Sequence, residues 1–476
     1  MFASAILLCL CVLFILLQLT TRRPKNFPPG PPLVPVLGNL LEMTVGSPLE
    51  DFERLRKTYG NVYSLFFGSR PAVIVNGIKA VREALVTNAK DFAGRPQGLL
   101  VADLSENEGV ILADYGPRWK DHRRFALTNL RNFGMGKSAM EEKIHQEIKF
   151  IIDTMDENIG KTMSPESMIY LATSNIVCRV LFNARYNQND DFINVIIKGY
   201  SENAKILNGL SSTVSQSMFL RSQNAENFVH VLLAEHKKTR VPGQPRDFID
   251  SYLDEMEKDT EKDSTFSEDQ MCTFVLDLHF AGTDTTSNTM LTLFLYLTSK
   301  PQMQERCQEE IDRVLEGKDQ ASFEDRHQMH YMQAMIHEVQ RVANIVPLNV
   351  FHATVVDTEL MGYSIPKGTL VIPNMKSVLS EEGQWKYPHE FNPENFLNEQ
   401  GEFVKPEAFM PFSTGIRMCL GEGLARMELF LIPVMLLRKF KLIWPEDAGE
   451  PDYTQIFGGT MSPQPYRIKV QPRSTQ

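Results

Sequence analysis

Hydrophobic and polar positions divide the chain into three regimes. Residues 2–19 carry no ionisable side chain, and only Ser4 and Gln18 interrupt an otherwise apolar run. A helix of that length spans about 27 Å, close to the hydrocarbon core of a bilayer. No basic residue precedes the run, whereas Arg22, Arg23 and Lys25 follow it. Residues 1–20 therefore read as a retained membrane anchor rather than a cleaved secretory signal, with the body of the chain on the cytosolic side. Residues 21–39 form a basic and Pro-rich hinge around Phe27-Pro28-Pro29-Gly30-Pro31-Pro32. Proline fixes φ and offers no amide donor, so this stretch predicts a stiff spacer rather than helix or central strand. Residues 40–476 show no internal repeat and no linker-like break, which predicts one mainly α domain with small β-sheets.

Within that body, two apolar strands flank Gly68-Ser69 and predict a hairpin over residues 61–75. A second strand-rich patch runs over 351–371, punctuated by Gly362, Pro366 and Gly368. The longest predicted helix starts at Ser267, with Gln270 completing a capping box and Phe266 and Met271 at staple positions, and is stopped by Pro301. At about 1.5 Å per residue it is roughly 45 Å long. Its middle, Ala281-Gly282-Thr283-Asp284-Thr285-Thr286-Ser287-Asn288-Thr289, is a run of poor helix formers set between apolar flanks. Glycine there costs about 1 kcal/mol against alanine, and the hydroxyls compete with the backbone for hydrogen bonds. The pattern predicts a buried helix with a functional groove, where a small residue admits a ligand and an acid beside an alcohol relays protons.

Composition narrows the function. The 476 residues hold 49 Lys+Arg against 59 Asp+Glu, a net charge of −10, which excludes a protein built to coat nucleic acid. The 6 cysteines have neither disulfide-framework nor zinc spacing, and no N-x-[ST] sequon occurs. Cys9 and Cys11 fall in the anchor, and Cys178, Cys272 and Cys307 read as small buried hydrophobes. Cys419 differs: Gly415 and Gly421 bracket it, and a predicted helix begins at Gly421. A thiol in a glycine-bounded loop at a helix N-terminus has its thiolate favoured by the free amides, as a metal ligand requires.

Phe412, Gly415, Arg417, Cys419 and Gly421 together match F-x-x-G-x-R-x-C-x-G. This resembles the heme-binding loop of the cytochrome P-450 superfamily. Ala281-Gly282-Thr283-Asp284-Thr285 resembles that family's oxygen-activation motif, Glu338-Val339-Gln340-Arg341 its E-x-x-R helix, and Trp119 to Arg123 its W-x-x-x-R. Residues 92–96, 130–136 and 391–397 make the chain most similar to a vertebrate microsomal family-two enzyme. The resemblance implies a heme-thiolate fold binding heme b, with Cys419 as iron ligand and Asp284 and Thr285 delivering protons. Gly282 would leave room for macrocycle and dioxygen. Arg95, Trp119, Arg123, His352 and Arg417 would hold the propionates, Phe412 would sit in the heme loop, and Glu338 and Arg341 would be structural. The network's frequent third arginine is Asn395 here.

No flavin or nicotinamide fingerprint is present, so the resemblance implies electrons from the NADPH-dependent reductase, sometimes from cytochrome b-five. Arg118, Lys120, Arg123, Arg124, Arg131 and Lys137 against Asp121 form a basic strip suited to an acidic redox partner. Family position places residues 97–101, 280–281, 345–348 and 456–460 around an apolar substrate pocket, while residues 201–228 depart from the pattern. The activity implied is a monooxygenase of the endoplasmic reticulum membrane, acting on lipophilic xenobiotics, fatty acids such as arachidonic acid, or steroids. Two alternatives stand beside it: a peroxide isomerase needing no reductase, and a non-catalytic heme-thiolate sensor or carrier.

Overall fold

The computed structural model describes residues 23–44, 48–98, 107–134, 138–187, 190, 212–258 and 265–473, with side chains of 212–224 left aside. The expected anchor, residues 1–20, lies outside them, as do residues 201–211 of the divergent stretch 201–228. Among the described residues no helix is long and apolar enough to cross a membrane. The chain forms two compact units, each built from separated stretches.

The first unit comprises Met1–Asp103, Val346–Glu381 and Phe412–Met418. Helix α1 (Pro48–Tyr59) precedes the hairpin of β1 (Val62–Phe67) and β2 (Arg70–Val75), paired so that Phe67 faces Arg70 across Gly68-Ser69. The sheet continues with β4 (Leu370–Pro373), parallel to β2, and β3 (His352–Ala353), antiparallel to β4. The remaining expected strands form a separate pair, Thr358–Leu360 with Tyr363–Ile365. The Pro-rich hinge is fastened to β1, because prolines lack a donor but keep their carbonyls. Ser64 donates its amide to Pro29 O at 2.7 Å and its hydroxyl to Pro28 O at 2.7 Å. Phe27 packs edge-on against Phe66. The hinge and the start of the body thus belong to the same unit.

The second unit comprises Leu104–Ile345, Glu382–Pro411 and Cys419–Gln476. Its helices are α2 (Pro117–Asn132), α3 (Ser138–Asp156), α4 (Glu166–Leu181), α5 (Ser212–Thr239), α6 (Phe248–Lys258), α7 (Glu268–Ser299), α8 (Pro301–Val314), α9 (His330–Ala343) and α10 (Glu422–Lys439). Helix α7 is the predicted long helix, packed against α4, α5, α8, α9 and α10. Its cap is half of the expected box. Ser267 Oγ accepts from Gln270 N at 3.2 Å, worth about 1 kcal/mol. The Gln270 side chain instead holds both backbone groups of Gly109, each at 3.0 Å. Phe266 joins Phe125, Tyr252 and His122 in an aromatic cluster that ties α2 and α6 to the start of α7.

Candidate active site

The polar run inside α7 has two faces with different work. Toward α4, Tyr170 donates to Asp284 Oδ1 at 2.9 Å, Thr173 and Ser287 share a 2.6 Å hydroxyl pair, and Ser174 lies 3.0 Å from His279 Nε2. A Cβ on Gly282 would stand 2.8 Å from Val177 Cγ2. Glycine at this position serves the close approach of two helices. Positions 279, 282, 284 and 287 of α7 thus form a polar seam against α4. The offset face carries a ladder of back-bonds: Thr285 Oγ1 to Ala281 O at 2.7 Å, Thr289 to Thr285 O and Thr292 to Asn288 O, both at 2.8 Å. Such bonds loosen and bend a helix locally.

Asp284 and Thr285 therefore touch different partners. Adjacent helical residues do not face each other. Asp284 is fully buried, and its Oδ2 accepts from Thr460 at 2.5 Å. Burial raises its pKa above the ordinary 3.8, against the pull of Thr460, Tyr170 and Asn288. Neither Tyr170 nor Thr460 was assigned to this carboxyl from the sequence, and Thr460 had been placed on the substrate pocket. Only a fold that joins positions 114 and 176 residues away exposes the pairing.

Cys419 is exposed, while Cys178, Cys272 and Cys307 are buried. Its Sγ accepts from the amides of Gly421 and Glu422, at the first turn of α10. These bonds and Arg123 favour the thiolate, whereas the surrounding protein and Glu422 disfavour it, and the thiol stays raised above 9.0. On α2, Trp119 gives its indole N–H to Val110 O at 3.1 Å, and the Arg123 guanidinium stacks over its ring at 5.4 Å. Trp119 thus orients Arg123, with its indole hydrogen on Val110 O.

In the first unit, Arg95 donates to Val350 O and Phe351 O at 3.1 and 2.8 Å, and Arg417 Nε to Ala93 O at 2.8 Å. His352 Nδ1 lies 2.7 Å from Phe92 O, so it carries the hydrogen. Burial and then Arg95 and Arg417 push His352 well below its ordinary value. The imidazole is neutral. Gly415, at φ +78°, must be glycine, since a Cβ would meet Leu85 O at 1.7 Å. Phe412, half-buried, opens this loop, and Ser413 beside it accepts from Asn349 Nδ2 at 2.8 Å.

Glu338 and Arg341 on α9 form a fully buried bidentate pair, both contacts at 2.7 Å. Arg341 also donates to Pro388 O and Glu390 O at 2.8 and 2.6 Å. Asn395 replaces a cationic third member by donating to both oxygens of Glu338, at 3.2 and 3.3 Å, while its Oδ1 accepts from Tyr387 N. Both oxygens of Glu338 and all three nitrogens of Arg341 thus have partners, as a buried ion pair requires. The basic strip is partly neutralised: Arg118 pairs with Glu108 and Arg124 with Asp121. Lys137 and residues 99–101 lie outside the described residues.

The donor sets fit an iron porphyrin. A soft thiol with amide donors behind it suits a borderline metal. Two guanidinium groups anchored around one neutral imidazole suit carboxylates. Residues 28–470 match the protein family described as Cytochrome P450. The chain is 39% identical to Cytochrome P450 2D14 of Bos taurus, covering 98% of this chain and 97% of that one. It is 38% identical to the Vitamin D(3) 25-hydroxylase of Sus scrofa, again over 98% and 97%. With Cytochrome P450 2K1 of Oncorhynchus mykiss it shares 39% identity over 93% and 91%. A cysteine loop, an E-x-x-R pair and relatives matched nearly end to end agree: the chain belongs to the cytochrome P450 family, resembling its vertebrate family-two members, and is a heme-binding monooxygenase, an oxidoreductase.

Proposed function

We propose that this protein inserts one oxygen atom from dioxygen into lipophilic substrates, such as xenobiotics, fatty acids including arachidonic acid, or steroids. Electrons come from NADPH through the membrane-bound reductase, with cytochrome b-five as a second donor. The protein sits at the endoplasmic reticulum membrane, anchored by residues 1–20 with its catalytic body cytosolic. The observation that carries the reading is Cys419 Sγ held by the Gly421 and Glu422 amides. When bound, heme supplies the iron that activates dioxygen, and a thiolate ligand favours O–O cleavage.

The chain's own part is to hold that group and manage protons. Arg95, Arg123 and Arg417, with Trp119 and His352, would hold the propionates, and Trp119 also stacks on Arg123. Asp284 holds its carboxyl turned toward Tyr170 and Thr460, and Thr285 holds its hydroxyl on Ala281 O. Passing a proton between them requires the carboxyl to leave those partners. A cavity of about 50 Å³ is bounded by Glu166, Tyr170, Asp284, Asn288 and Tyr466. Lys120 and Arg131 on α2 remain to meet an acidic redox partner. That one relative is named for hydroxylating vitamin D(3) favours a lipophilic, steroid-like substrate.

The test is reconstitution with reductase and NADPH against a mixed panel of fatty acids, steroids and lipophilic drugs, read by mass spectrometry. Products heavier by one oxygen, dependent on reductase, support the reading. No oxygenated product across the panel would sink it.

A further inference from the structure

The first turn of α10 carries the two amides that bond Cys419 Sγ, and it is tied to a buried histidine on another helix. Glu422 Oε1 accepts from Arg426 Nε and Nη2, at 2.8 and 2.7 Å, one turn further along α10. Arg426 Nη1 reaches His337 Nε2 on α9 at 3.3 Å. His337 Nδ1 lies 2.7 Å from Gln333 O. Since a carbonyl only accepts and a guanidinium only donates, His337 carries its hydrogen on Nδ1 and presents a lone pair at Nε2. The ring is boxed by Phe396, Phe403 and Phe409, with centroids at 5.6, 4.5 and 5.0 Å. Burial, and then Arg426, hold it neutral, at about 3.

We propose that His337 is a positioning residue for the Cys419 thiolate: its Nε2 fixes Arg426, Arg426 fixes Glu422, and Glu422 keeps the amides of the first turn aimed at Cys419 Sγ. The need follows from helix physics. First turns are where helices fray, and an i,i+4 ion pair on a partly exposed face restrains one only weakly. An acceptor held rigid in an aromatic box gives Arg426 a third fixed point. Amide bonds to a thiolate withdraw charge from sulfur, so they weaken its donation and raise the reduction potential of the metal it binds. Slackening them works in the opposite direction. The inference rests on the reading of Cys419 as the iron ligand.

The experiment uses the heme-loaded full chain. His337→Phe keeps a ring in the Phe box but removes the acceptor; His337→Gln restores an acceptor near the Nε2 position. The expected result for His337→Phe is an iron–sulfur stretch at higher frequency by resonance Raman and a more negative ferric/ferrous midpoint potential, with His337→Gln returned toward wild type. Arg426→Lys, which retains the charge but cannot span both partners, should move both readings the same way and serves if His337→Phe does not retain heme. A stretch and potential equal to wild type in His337→Phe or, where that variant is lost, in Arg426→Lys overturns the proposal. So does a His337→Gln protein as shifted as His337→Phe. A wild-type protein lacking any iron–sulfur mode overturns instead the reading of Cys419 on which this one stands.

Discussion

Tyr170 donates its phenolic hydrogen to Oδ1 of Asp284, 2.9 Å away across the seam between α4 and α7. With Thr460 on Oδ2 and Asn288 beside them, it gives a buried carboxyl neutral donors. Burial still wins, so the folded-state pKa lies above the ordinary 3.8. A raised value means that ionisation costs stability: the contribution is intact below 3.8 and is lost as pH rises through the folded value. Tyr170→Phe removes a donor to the charged form and raises that value further. The substitution should therefore destabilise by about 1–3 kcal/mol at neutral pH and by less as pH falls toward the carboxylate range. Urea unfolding at several pH values checks this; a loss independent of pH would show that packing, not the carboxyl, uses the hydroxyl.

Thr285 presents a sharper question, because its hydroxyl is bonded to its own helix at Ala281 O. A purely structural threonine could be replaced with little effect on chemistry. General acid–base groups contribute on the order of 10²–10⁴ in rate. Thr285→Ala should lower product formed per NADPH consumed severalfold, while NADPH consumption itself persists. The ratio is measured directly from NADPH absorbance and product mass spectrometry. An unchanged ratio would remove Thr285 from the proton relay.

The contrast between these two residues shows what was legible beforehand. The hairpin, the long α7 and the cysteine loop announce themselves through signals within a few residues: a two-residue turn, a helical period with a cap, glycines bracketing a thiol. The partners of the polar run were not legible, since Asp284 meets Tyr170 and Thr460 at separations of 114 and 176 residues. The helix contact at Gly282 was hidden for the same reason, as Val177 is distant in the chain. Gln270 matched a capping box, but a side chain with two hydrogen-bonding atoms found a better partner in the backbone of Gly109. Asn395 looked like a missing cation, whereas burial requires only that each oxygen of Glu338 find a donor.

His236 illustrates a titrating group far from the cysteine loop. Its Nδ1 faces Leu232 O and its Nε2 faces Asp247 Oδ2, both at 2.8 Å, so both nitrogens need hydrogens and the ring is an imidazolium. Burial lowers its pKa, but Asp247, Leu232 and Asp250 outweigh it and the net shift is upward from 6.5. The stabilisation is therefore full below 6.5 and lost as pH rises through the folded value. His236→Gln should cost roughly 1–3 kcal/mol at pH near 6 and progressively less under alkaline conditions. Although His236, Asp247 and Asp250 cluster closely, Arg246 holds Asp250 at 2.6 Å and the ring nitrogens are protonated. A chelator should leave the unfolding midpoint unchanged.

Gly282 and Val177 allow the seam between α4 and α7 to be tested as packing. Gly282→Ala gains about 1 kcal/mol of helix propensity, yet its Cβ would stand 2.8 Å from Val177 Cγ2, closer than such contacts occur. Overpacking a tight core costs typically 1–3 kcal/mol, so the net expectation is a loss of about 1 kcal/mol, seen as a lower Tm. If contact with Val177 is the cause, Val177→Ala should absorb the new methyl, and the two substitutions should couple favourably by about 1 kcal/mol in a double-mutant cycle. A cycle that closes additively would mean that the glycine answers to something other than α4, and the room-for-ligand explanation would stand. The cycle can be run on heme-free protein, which separates helix packing from any effect of the cofactor on stability.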